Sequence, residues 1–127
     1  MKTFTIIAIA TTISMAFSAA AIANSMSKTE FKAARNNIES VYKSGQARCA
    51  TLLANAKDIC DAEVSGQQRV ALAELEATYH STRKTRCDVC IAKARADYSV
   101  AKEKCDDQAG NAKDVCVNDA KTHYGKS

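Results

Sequence analysis

The chain has 127 residues, no proline, no tryptophan, four glycines and six cysteines, with eighteen Lys and Arg against fourteen Asp and Glu. Its charges interleave along the whole length instead of forming a block, which argues against the basic stripe of a nucleic-acid binder. Missing proline, scarce glycine and abundant Ala, Lys and Glu predict an all-α protein of about four helices.

Residues 1–23 read as a secretory signal peptide. Lys2 supplies the charged start, Ile6 to Phe17 an apolar run softened by Thr and Ser, and Ala21-Ile22-Ala23 the small-x-small site, with cleavage after Ala23. The alternative, an uncleaved anchor, has against it a run that is short for a span. Cleavage leaves residues 24–127, read as one helical domain with seventeen basic and fourteen acidic side chains, net +3. No later stretch is apolar enough to cross a bilayer. Cys49 is the first cysteine, too far from the cleavage site for a lipid-modified N-terminal cysteine. Six cysteines in such a chain suit an oxidising compartment, and the mature protein is predicted to be exported.

Ser27-Lys28-Thr29-Glu30 is a capping box. The first helix is predicted from Lys28 to about Leu53, with Phe31, Ala34, Ile38, Val41/Tyr42, Gly45, Cys49 and Leu52 along one stripe. The second is predicted to start after Asn55, with Asn55 as N-cap and Asp58 at the third position, and to bury Ile59, Cys60, Val64, Ala71, Leu75 and Tyr79, with a kink or break at Ser65-Gly66. Tyr79-His80-Ser81-Thr82 supplies the connection between hairpins. The third helix carries Cys87, Cys90, Ile91, Ala94, Tyr98, Ala101 and Cys105 on one face. Gly110-Asn111 marks a second reversal, with Asn111 as N-cap and Asp114 at the third position. The fourth helix, Ala112 to about Tyr124, offers Val115, Cys116, Ala120 and His123/Tyr124. It is roughly half the length of its partner, so Cys87, Cys90 and Ile91 are left to pack on the first hairpin, to meet a second molecule, or to stay exposed.

The architecture this implies is two antiparallel helical hairpins, 27–79 and 82–125. A repeat supports it. Tyr42 to Cys60 (YKSGQARCATLLANAKDIC) and Tyr98 to Cys116 (YSVAKEKCDDQAGNAKDVC) agree at seven of nineteen ungapped positions, both cysteines included. An unbroken helix would hold Cys105 and Cys116 roughly 16 Å apart, and a disulfide tolerates at most ~7 Å between Cα atoms. Turn and bond therefore require each other, and the expected staples are Cys49–Cys60 and Cys105–Cys116. Four free or metal-binding thiols form the competing reading, although a C-x10-C spacing resembles no common zinc knuckle.

Cys87-Asp88-Val89-Cys90 is the one local motif with chemical possibilities. As a redox pair it would sit at a helix start beside Arg83, Lys84 and Arg86, but thioredoxin-type sites follow a strand and none is expected here. Haem attachment needs a histidine where Ile91 stands. A metal could take Cys87 and Cys90 with His80 or His123, although a solvated His80 and a partly buried His123 are the plainer fates. The structural reading is a third disulfide, within the pair or between two molecules as a disulfide-linked homodimer. Asp106-Asp107 and the basic cluster Arg83-Lys84-Thr85-Arg86 read as solvated charge. No catalytic constellation, cofactor or metal is expected.

The block Ala92–Val117 resembles small exported helical proteins of Gram-negative proteobacteria that carry a repeated NAKD[IV]C segment. Some of these are labelled as TolA-like cell envelope proteins. The resemblance extends more loosely back to about Phe31, and Cys87 and Cys90 depart from its pattern. It implies a periplasmic protein with an unidentified protein partner in the envelope. The reading is a non-enzymatic helical protein with a structural or interaction role there. The alternative is a metal- or thiol-binding module that uses Cys87 and Cys90.

Overall fold

In the computed structural model, which describes residues 25–125, four α-helices follow one another: α1 (Lys28–Cys49), α2 (Ala54–Tyr79), α3 (Arg83–Cys105) and α4 (Asn111–Tyr124). No strand occurs among the described residues. The predicted signal peptide, residues 1–23, lies outside them.

α1 opens on the capping box read from the sequence. The Glu30 amide donates to Ser27 Oγ (3.2 Å), and the Ser27 amide donates to the Glu30 carboxylate (2.7 Å). The backbone and hydroxyl bonds from Ser27 hold the Glu30 carboxyl below its usual range. α3 opens on the same device made from two threonines, with Thr82 and Thr85 exchanging amide-to-hydroxyl bonds of 3.0 Å.

Each hairpin is closed by its disulfide. Cys49 and Cys60 lie 5.5 Å apart at Cα, and Cys105 and Cys116 lie 5.7 Å apart. These bonds explain where the helices stop. α1 ends at Cys49, four residues before the expected Leu53, because the chain must reverse at once for Cys49 to meet Cys60. The Thr51 and Leu52 amides turn back onto the Arg48 and Cys49 carbonyls, and Leu53 is left 84% exposed.

Three further expectations are corrected. Neither Asn55 nor Asn111 caps a helix: the N-caps are Leu53 and Gly110, and neither has a side-chain cap bond. The reversal is made instead by positive φ at Ala54 (49°) and Gly110 (57°), which carries each asparagine already into its helix. Asn55 then donates its side-chain amide to the Glu103 carbonyl on α3, at 3.0 Å. Ser65-Gly66 neither breaks nor ends α2, which runs unbroken to Tyr79. The glycine serves contact: a Cβ at Gly66 would stand 2.8 Å from the Ala96 Cβ, and one at Gly45 would stand 2.6 Å from a Val64 methyl. Both are places where backbones approach closely.

The helices stand in a row. α1 packs on α2, α2 on α3 and α3 on α4, and among the described residues no other pair of helices packs together. Phe31 at the far end of α1 stacks on Tyr79, with ring centroids 4.4 Å apart. A layer one helix thick has little interior. Gly45, Cys49, Val64, Gly66, Leu75, Cys105 and Ala120 are its buried residues, and Cys49 and Cys105 are the largest side chains sealed completely. The remaining stripe residues are half-buried or outside. Val41 is 63% and Val115 51% exposed, against the expectation that both face a core.

Candidate functional site

α3 has 23 residues and α4 has 14, so α4 covers one half of the α3 face that carries Cys105. Cys87 and Cys90 stand on the other half. Both are exposed, and neither is bonded to another cysteine of the chain. They are the fifth and eighth residues of α3, beyond the first turn whose unpaired amides and dipole act on a thiol.

The surroundings are charged and internally matched. Lys84 Nζ lies 2.7 Å from the Asp88 carboxylate, and Lys93 Nζ lies 2.8 Å from that of Glu74 on α2. Each lysine is held above its ordinary value, chiefly by the hydrogen bond and charge of that carboxylate. Cys87 adds a smaller push on Lys84 and Cys90 on Lys93, so each thiol has a lysine within Coulombic reach. Arg83 and Arg86 are exposed beside them.

The histidines considered as ligands are not brought to the thiols. His80 follows the end of α2, 3.9 Å from the Glu76 carboxylate and against the Tyr79 ring. His123 lies on α4 beside Tyr124 and is exposed, not partly buried as expected. Among the described residues no three His, Cys, Asp or Glu side chains gather into a metal-binding group. Asp106 pairs with Lys113 across the second turn at 3.0 Å, and Asp107 is exposed.

A second feature escaped the sequence reading: an open groove of about 840 Å³ along the α2–α3 junction. Val70, Ala71 and Val100 line it, with Glu63, Glu74 and Lys104 among its charged residues. Its sign in the sequence was Gly66 within an uninterrupted helical period, a small residue that no cap or turn required. No protein family, curated protein or solved structure matches the chain.

Proposed function

We propose that this chain is an exported, non-enzymatic protein of the bacterial periplasm that acts by contact, in a structural or interaction role in the cell envelope. The observation that carries this reading is the row of helices one layer thick. Among the described residues both broad faces of the row stay open, and stability is delegated to two disulfides instead of a sealed core. Such a layer has surface to offer and little enclosed volume in which to hold a substrate. The two hairpins are proposed to be copies of one unit. The six cysteines and the resemblance of Ala92–Val117 to exported envelope proteins support the location.

The test expresses the full chain, N-terminal segment included, in a Gram-negative host. The expected product is periplasmic and begins at Asn24. Photo-crosslinking amino acids placed at Val41 and Gln67, on open surface, are expected to trap a discrete envelope protein. A cytoplasmic product that keeps Met1 and reduced thiols would refute the location, and the absence of any adduct from either position would refute the contact role.

One observation favours a second reading, a metal- or thiol-binding module: Cys87 and Cys90 are free, exposed and three residues apart. Metal analysis of the purified chain and of Cys87→Ala/Cys90→Ala separates the two. Stoichiometric zinc or copper, lost in the variant, would replace the first reading with this one.

A further inference from the structure

We propose that Cys87 and Cys90 join two copies of this chain through reciprocal disulfides, seating the uncovered half of one α3 antiparallel against the same half of another. Cys105 is bonded to Cys116 and the two helices run antiparallel, so positions equidistant from that bond face one another. Tyr124, the last residue of α4, therefore comes level with Asp97, and Tyr124 and Asp97 line the same groove. From Arg83 to Ala96, fourteen residues and roughly 21 Å of helix, no helix among the described residues covers this face of α3.

Cys87 points into that gap. It precedes Cys105 by eighteen residues, which is five turns of a helix with ~3.6 residues per turn. Cys87 thus projects along the direction in which Cys105 reaches α4. It would meet a helix lying where α4 would continue.

The two thiols cannot satisfy each other. Residues three apart on a helix hold their Cβ atoms about 5–6 Å apart, whereas a disulfide needs about 3.5–4.5 Å. In an antiparallel pair related by a two-fold axis, side chains three apart meet in alternation. Cys87 then lies opposite the second copy's Cys90, and Cys90 opposite its Cys87. The same register brings Arg83 level with the second copy's Ala94, one turn from its Asp97. Both Arg83 and Asp97 are exposed, and neither has an ion-pair partner among the described residues, so the seam closes with opposite charges at each end. The second α3 begins level with Ala94, just short of the point where α4 stops.

Each bond forms by ordinary exchange. A thiolate attacks a low-molecular-weight disulfide such as oxidised glutathione, making a mixed disulfide and expelling one thiolate. The facing thiolate of the second copy then attacks the protein sulfur and expels the other. Per bond, two protein thiols are oxidised and one small disulfide is reduced to two thiols.

The inference rests on the oxidising location of the reading proposed above, but its test does not. Purified chain is incubated with oxidised glutathione in large excess over protein, where thiols without a seated partner end as glutathione adducts. The expected product is a covalent dimer whose tryptic peptide Cys87–Lys93 appears as two copies joined by two disulfides. Cys87→Ala/Cys90→Ala should stay monomeric with unchanged helicity. Arg83→Glu should slow dimer formation several-fold at low salt, and adding Asp97→Arg should restore it. A peptide closed on itself, glutathione on both cysteines, or indifference to both charge changes would overturn the proposal.

Discussion

Ala54 and Gly110 hold the same place in the two turns, and both have left-handed φ, 49° and 57°. Glycine adopts such a backbone freely, whereas an L side chain there costs roughly 1–2 kcal/mol. The first turn therefore carries strain that the second does not. Ala54→Gly should stabilise the protein by about 0.5–1 kcal/mol, after the extra freedom of glycine in the unfolded chain is subtracted. Gly110→Ala should destabilise it by about 1–2 kcal/mol. Thermal unfolding of both variants checks the sign, since each kcal/mol moves Tm by several degrees in a domain of this size.

The two asparagines should respond differently. Asn111 makes no cap bond, so Asn111→Ala is expected to be close to neutral in stability. Asn55→Ala removes the bond to the Glu103 carbonyl that ties α2 to α3 and should cost about 0.5–1.5 kcal/mol. Urea titration of the two variants side by side settles this. A cost at Asn111 equal to or larger than that at Asn55 would contradict the turn described above.

Both staples were legible because a disulfide's short reach and a helix's fixed rise leave a single answer for cysteines placed evenly about a turn. The capping box at Ser27 and Glu30 was legible because it is local. The caps at Asn55 and Asn111 misled because asparagine suits an N-cap on propensity alone. What decided the matter was φ at the preceding residue, and at Ala54 no side-chain preference announces it. The packing of α2 on α3 depends on Gly66 meeting Ala96, thirty positions away, and no local period reports such a meeting. The exposure of Cys87 and Cys90 was half legible. Helix lengths showed that α4 falls short, but the apolar stripe they share with Cys105 suggested burial.

Gly66 gives the sharpest test of that packing. On helix propensity alone, Gly66→Ala within α2 should stabilise by roughly 1 kcal/mol. The close approach to Ala96 predicts the opposite, a loss of about 1–3 kcal/mol from overpacking. Ala96→Gly in the same chain should recover part of it. A stabilised Gly66→Ala variant would show that the two hairpins are not held at this contact.

α4 touches α3 and no other helix, and it is bonded to α3 through Cys116. Cys105→Ala/Cys116→Ala should cost about 3 kcal/mol in the chain-entropy description. The loss should be local, because a helix of 14 residues is of marginal length by itself. Hydrogen exchange should show lost protection from Asn111 to Tyr124, with α1 and α2 unchanged. Exchange rising equally in all four helices would mean that the layer unfolds as one unit.

The start of α1 should depend on acid. Glu30 has a folded pKa below its unfolded one, so its contribution is fully present above the unfolded carboxyl value. It is lost as pH falls through the folded value. Amide exchange at Lys28 to Phe31 should accelerate across that acidic window, and Glu30→Gln should flatten the dependence.

A row in which each helix meets only its neighbours in sequence has no closing step in which distant ends must find one another. Contacts of this kind lie close in the chain, and helical proteins dominated by them fold in microseconds to milliseconds. Cys49–Cys60 and Cys105–Cys116 each fall inside a single hairpin, so each bond can be oxidised by a segment that has folded by itself. A chain delivered N-terminus first would have its first staple in place before the second pair of cysteines arrived. Scrambled pairings such as Cys49–Cys116 would then be excluded by order of arrival as well as by geometry.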